Sequence, residues 1–519
     1  MKRIFKISTV LALVLGASSC DMDMRPYSVI DPENALESYA DAAKLANGFN
    51  IQVRNLAVGS KNYMTEIQSD IFHAVADFGN RGGEMFRWEF NASSPYAEGL
   101  WSSCYAAIAN ANYFIEKAGN IFDRVASDEE FAKTWSEEEL DKLKGHISEA
   151  YFVKAYANYL LVDRFCETYS EANATKADGG IPIVDKYQPT SDKEKYPARE
   201  TLKDSFDAIY GYLEKAEENI QLINTNAAGS TRITADAVKA LRARVALSRS
   251  DYPQAIQDAT DVINSSEYSL VSGSDNLAKL FVNDNVPSEV ILQSYVAIPN
   301  EKPGSNCYGY MSYNYQKDFY APDYLPEKWL IDLYSDKDYR KSVFFMETPI
   351  TLSSGTTEPV YIFSKFPGNP ALMSGPSDYN YLNAPKPFRL AELYLIAAEA
   401  YAKSNVSIDQ ASALLNELQS KRIADWVDVT YTATSIIPAI QDERVRELVG
   451  EGFRLSDLKR YGKGVSRSAA QNSNVINLPG SSTTEFLTKT NEDYKFIWPI
   501  PTAETDANPK IKQNPGYTN

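Results

Sequence analysis

A mostly helical fold, with a helical-repeat scaffold joined to a loop-rich part containing short strands, follows from three observations. Apolar residues recur at spacings of three and four over long stretches of the chain. Small residues stand where paired helices would have to cross closely. Prolines then crowd the segment 266–387, where a long helix cannot survive.

The first apolar stripe is Ile147, Tyr151, Ala155, Tyr159 and Val162, which predicts one helix face. Leu202, Phe206, Ile209, Leu213, Ala216 and Ile220 predict a second helix. Asp178-Gly179-Gly180-Ile181-Pro182 lies between them as a turn-rich connection. In the next stretch Ala243 and Ala255 flank a Ser250-Asp251-Tyr252 turn, with Ala246, Ala259 and Val262 completing the faces. This pattern resembles a tetratricopeptide repeat, whose paired helices need small residues at their crossing. Tyr394, Ala398, Tyr401 and Ala411 form a weaker copy, and a further helix is expected from Trp101 to Tyr105 onward. Within 266–387, Val290-Ile291-Leu292 and Val360-Tyr361-Ile362-Phe363 read as isolated strands. Irregular segments carried by a rigid scaffold are where binding residues concentrate, so the ligand surface is expected to draw on this region.

Composition narrows the function. The 519 residues carry 52 Lys+Arg against 69 Asp+Glu, a formal charge of −17, which argues against a protein that tracks nucleic-acid phosphates. A content of 44% hydrophobic and 23% charged residues is that of a globular chain. Two histidines, His73 and His146, cannot build a three-histidine metal site, and no metal or cofactor is expected. Cys104, Cys166 and Cys307 are far apart and lack a C-x-x-C pattern, so they read as small buried residues. There is no G-x-S-x-G, H-E-x-x-H, G-x-x-x-x-G-K-[ST] or G-x-G-x-x-G motif, and no catalytic residue is assigned.

Residues 1–19 read as a signal peptide. Lys2, Arg3 and Lys6 precede the apolar run Val10 to Leu15, and Gly16-Ala17-Ser18-Ser19 ends before Cys20. The start resembles a bacterial lipoprotein signal, which makes Cys20 the lipid attachment site. Cleavage there removes three basic residues and takes the charge from −17 to −20. The acidic Asp21-Met22-Asp23-Met24 that follows is similar to signals placing lipoproteins of Bacteroidetes on the extracellular face of the outer membrane.

Three further blocks carry a resemblance to the SusD/RagB family. They are the helix Phe388 to Ala400, the run Glu443 to Leu448 with Glu451-Gly452-Phe453-Arg454 and Asp457 to Gly462, and the tail Phe496 to Pro501 with Asp506 to Pro509 and Gln513 to Tyr517. Gln68-Ser69-Asp70, Trp329 to Tyr334 and Asp338 to Ser342 are nearer the RagB branch. The resemblance implies a SusD-like fold over 20–519. Its scaffold would be drawn from about 35–265 and 388–462, with a loop-rich insert over 266–387 and a closing segment over 463–519. It also implies a surface lipoprotein that captures oligosaccharides or oligopeptides and acts as the lid of a SusC/RagA-type TonB-dependent transporter. Membrane attachment would be through the lipid alone.

The charged motifs are read as structural: Arg444 with Glu447, and Arg454 with Asp457, are three apart and can pair along a helix. Two clusters are candidate ligand surfaces. One holds Asp77, Asn80, Arg81, Trp88 and Asn91; the other holds Tyr308, Tyr310, Tyr313, Tyr315, Tyr320 and Tyr324. Aromatic faces stack on sugar rings or peptide planes while Asp, Asn and Arg meet hydroxyls or amides. The same tyrosines could instead contact the transporter. The alternatives to a binder are a glycan-degrading hydrolase, which needs two carboxylates across a cleft, and a repeat scaffold without a small ligand.

Overall fold

The computed structural model describes residues 36–375, 377–467, 471–476 and 485–518; the leader and Cys20 lie outside the described residues. Eleven helices of eight residues or more dominate them. The first half supplies α1 (Tyr39–Leu56), α2 (Ser60–Gln68), α3 (Pro95–Ser127), α4 (Glu137–Phe165), α5 (Leu202–Asn219), α6 (Ala235–Arg249) and α7 (Tyr252–Ile263). The second half adds α8 (Leu390–Lys403), α9 (Ile408–Arg422), α10 (Ile436–Leu448) and α11 (Arg454–Tyr461). None is long and apolar enough to cross a membrane.

Local chemistry sets where these helices begin. Ser136 and Glu139 form a reciprocal capping box at the start of α4, satisfying two backbone N–H groups that lack helical partners. Thr201 accepts from the Asp204 N–H at 3.0 Å to start α5. The helix expected from Trp101 in fact begins earlier, at Pro95, where the missing proline N–H costs nothing.

The helices stack in chain order. α4 packs between α3 and α5, α5 meets α6, α6 pairs with α7, α7 packs on α8, and α8 packs on α9 and α10. The α6–α7 hairpin turns at Ser250, which adopts φ 63°, and Asp251 caps α7. Ala243, Ala246, Ala255 and Ala259 are fully buried where the helices pass, so their size permits the close approach. The second pairing, α8 with α9, buries Ala398 and Ala411 in the same way.

The segment between α7 and α8 is irregular but carries more β structure than its apolar runs suggest. Strand β1 (Phe72–Ala74) lies earlier in the chain; β2 (Val290–Leu292), β3 (Tyr313–Asn314), β4 (Phe319–Tyr320), β5 (Tyr324–Pro326), β6 (Phe345–Thr351), β7 (Thr357–Phe363) and β8 (Phe388–Arg389) follow. β3, β4, β6 and β7 make a four-stranded sheet in that order, with β4 parallel to β6 and the other pairs antiparallel. β1 pairs antiparallel with β5, which brings residues 72–74 against 324–326. That pairing joins the two sequence-distant candidate clusters.

A buried ion-pair network holds the loop-rich part to the helices. Arg340, Arg389 and Arg422 converge on Glu447 at 3.0, 3.0 and 2.9 Å. Arg340 also meets Asp338 and Glu443, while Arg389 and Arg422 share Glu289. Burial alone would raise the Glu443 pKa, but Arg340 and Arg446 beside it lower it to about 2. The charged C-terminal motifs are therefore structural, although their partners differ from the expected helical neighbours. Arg444 pairs with Asp457 at 2.9 Å, and Arg454 reaches back to Asp70 at 2.7 Å. Long-range charges, each already buried, outcompete a partner three residues away.

Candidate functional site

Of the first cluster, only Arg81 reaches the tyrosines. The short helix Gly83–Phe86 and the turn before it place its guanidinium against Asp323, with Nε donating at 2.6 Å. The same group lies 4.3 Å from the centre of the Tyr308 ring. Partial burial opposes the charge on Arg81, but Asp323 overrides it and holds the pKa above its ordinary value.

The remaining members of that cluster make contacts within the fold and do not meet the tyrosines through a hydrogen bond or ring contact. Asp77 is exposed and accepts from Ser353 at the turn between β6 and β7. Asn80, at φ 58°, accepts from Arg87 at 3.0 Å. Asn91 accepts from the Ser93 N–H at 2.9 Å, turning the chain into α3. Trp88 is not a surface ring: it is buried, packs edge-on against Phe496, and donates its indole N–H to the Gln68 carbonyl at 2.9 Å. A large ring in a polar stretch suggested a stacking face, whereas the apolar body packs on Phe496.

The tyrosines divide by depth. Tyr310 exposes 1% of its surface and stacks on Phe72 at 4.3 Å; Tyr324 exposes none and donates to the Arg81 carbonyl. Both belong to the core, because the β1–β5 pairing carries this part of the chain under the loops. Tyr308 and Tyr315 expose 50% and 58%, and Tyr313 and Tyr320 are half-buried. Tyr313 lies 4.8 Å from Tyr320, centre to centre, facing it across β3 and β4. Its hydroxyl donates to Asp318, which raises its pKa.

Two participants come from a segment not singled out above. Tyr379, 36% exposed, lies 4.4 Å from Tyr313 and 6.3 Å from Tyr315. Tyr381 sits beneath, its hydroxyl accepting from the Tyr313 N–H at 2.6 Å and its ring 6.1 Å from Tyr308. The signal for them was the alternation Asp378-Tyr379-Asn380-Tyr381, with tyrosine and polar residues in turn. Beside Tyr320 opens a groove of about 740 Å³, lined also by Met311, Lys341, Phe345, Met346 and Tyr361. The arrangement is a polar-edged aromatic surface running into a groove of ligand size. Among the described residues no group of His, Cys, Asp and Glu could hold a metal ion, and Cys104, Cys166 and Cys307 are free and buried.

Comparison with known proteins agrees with this architecture at both ends of the chain. Residues 348–517 match the family model described as SusD family, and residues 22–247 match the one described as starch-binding associating with outer membrane. The chain belongs to the SusD/RagB family. A curated relative of this SusD/RagB member, SusD-like protein P2 of Formosa agariphila, is 24% identical over 99% of each chain. Among solved structures, a SusD superfamily protein from Bacteroides thetaiotaomicron superposes with a TM-score of 0.73 at 23% identity, covering 92% of this chain and 100% of that one. A SusD-like carbohydrate binding protein from Bacteroides vulgatus gives 0.69 at 19% identity, over 91% and 97%. These likenesses establish a mostly helical SusD-like fold for the SusD/RagB member described here.

Proposed function

We propose that this SusD/RagB-family protein binds glycan chains at the cell surface and delivers them, uncut, to a partner TonB-dependent outer-membrane transporter. The observation that carries the reading is the exposed aromatic surface formed by Tyr308, Tyr313, Tyr315 and Tyr379, edged by Arg81. Rings of this kind stack on the C–H faces of sugars, and phenol and guanidinium edges hydrogen-bond hydroxyls. The starch-binding description of the N-terminal family model and the carbohydrate-binding name of the B. vulgatus neighbour support a glycan over an oligopeptide. The leader ending at Cys20 and the acidic residues after it support a lipid anchor on the extracellular face. The α6–α7 and α8–α9 hairpins serve, in this reading, as the tetratricopeptide-type scaffold that presents the loops.

A binding role without cleavage is supported by how the nearby carboxylates are used. Asp323 is held by Arg81 and by the Gly79 N–H, and Asp318 by the Tyr313 hydroxyl. Neither is left as a free acid or base facing the rings. Incubation of the purified chain with starch, other polysaccharides and a peptide digest tests the proposal. Saturable retention of a glycan with no new reducing ends is expected; release of reducing ends, or retention of peptides alone, overturns it.

A further inference from the structure

A pocket of about 280 Å³ shares no residue with the tyrosine surface or its groove. One wall is a face of α1 carrying Asn50, Ile51 and Arg54. The other is built from residues 231–232, ahead of α6, and from Tyr295 and Glu301, after β2. Tyr295 exposes 59% of its surface, more than any other aromatic side chain among the described residues, and Ile51 exposes 36%. Two exposed apolar side chains, one from the scaffold and one from the loop-rich part, thus meet at a single concave site.

The backbone that carries the exposed ring is anchored. Arg54, itself buried, donates to the Tyr295 carbonyl at 2.8 Å and pairs with Glu301. The two preceding residues are fixed as well: the Gln293 N–H donates to the Ser230 carbonyl at 2.9 Å and the Ser294 N–H to the Pro385 carbonyl at 2.8 Å. Ala297 and Glu301 close the turn that follows, the Glu301 N–H donating at 2.7 Å. A ring presented on fixed backbone meets a ligand with part of its ordering cost already met by the fold. Beside it, the Asn50 amide, the Thr231 hydroxyl and the Tyr295 hydroxyl make no hydrogen bond to any described residue. The charges, in contrast, are matched within the protein. Arg54 is met by Glu301, and Arg232 by Glu149 at 3.0 Å and by the Asn47 amide oxygen at 2.8 Å.

An aromatic face, an aliphatic side chain, a free amide and free hydroxyls, with every charge already paired, suit an uncharged polyhydroxylated ring. An extended peptide is favoured by an open strand edge. Here one wall is a helix, and the Tyr295, Ala297 and Glu301 backbone groups are already bonded to Arg54 or to one another. We propose that this pocket is a second carbohydrate-binding site, stacking one uncharged sugar residue on Tyr295 and Ile51 and bonding its hydroxyls through Asn50 and Thr231. The site goes beyond the glycan surface described above, and neither site needs the other in order to bind.

The test is native affinity electrophoresis of the full-length chain through gels containing soluble starch, xylan, laminarin or galactomannan. Five proteins are compared: wild type, Tyr295→Ala, Asn50→Ala, the double variant Tyr308→Ala, Tyr379→Ala, and that double variant with Tyr295→Ala added. Tyr295 and Asn50 are not core residues, so each single variant should keep the wild-type Tm within about 2 °C. In at least one gel, Tyr295→Ala should weaken binding about three- to tenfold and Asn50→Ala about two- to tenfold. The double variant should keep a residual retardation that the triple variant loses. Equal retardation of wild type, Tyr295→Ala and Asn50→Ala in every gel overturns this proposal, and loss in the double variant alone then leaves the glycan reading of the tyrosine surface standing. Loss in Tyr295→Ala with the double variant unchanged supports this site and overturns that reading. No retardation of wild type in any of the four gels overturns both.

Discussion

The guanidinium of Arg81 lies 4.3 Å from the centre of the Tyr308 ring, although 227 positions separate the two in sequence. Asp323 holds it there, and β1 pairing with β5 brings the segments together. One charged group therefore joins a polar turn to an aromatic loop. A lysine at position 81 keeps the charge but loses the planar contact. Arg81→Lys should weaken glycan binding about two- to fivefold, the worth of an exposed cation–π contact, with Tm unchanged. Calorimetric titration beside thermal unfolding checks both halves.

Tyr308 and Tyr310 stand two residues apart on opposite sides of the surface. Tyr310→Ala empties a packed site against Phe72 and Phe363 and should destabilise the fold by about 3–5 kcal/mol. Tyr308→Ala should cost under about 0.5 kcal/mol of stability. Denaturant unfolding of the two variants separates core from surface.

Glu447 accepts from three buried arginines, so its loss strands positive charge away from water. Glu447→Gln should destabilise by about 3–5 kcal/mol, the range for breaking a buried pair. Substituting the exposed Glu129 by Gln should be nearly silent. Urea midpoints of the two variants measure the difference.

Glu66 is fully buried, and burial raises its pKa from 4.5 to about 7 despite N–H donors at Gly450 and Arg454. A carboxyl raised in the folded state supports stability fully below pH 4.5, and that support fades as pH rises through 7. Glu66→Gln should therefore gain on the wild type between pH 5 and 8, by at most about 3 kcal/mol. A gap in Tm that stays flat with pH contradicts this.

Helical periodicity made the scaffold legible, because Leu202 to Ile220 or Ala243 to Val262 repeat a face that only burial explains. The loop-rich part has no such period. Nothing in the local pattern separates Tyr308 from Tyr310, or shows that Trp88 turns inward at φ 58°. Tyr379 joins the cluster through folding alone, since Tyr313 lies 66 positions earlier. The same holds for Arg340, Arg389 and Arg422, whose common acceptor on α10 no spacing rule could name.

Binding of glycan by the exposed tyrosines is measured by calorimetric titration of the retained glycan into wild type and into the double variant Tyr308→Ala, Tyr379→Ala, both verified as folded by thermal unfolding. The double variant should lose at least tenfold in affinity, with its Tm within about 2 °C of wild type. Equal affinity in the two proteins would contradict it.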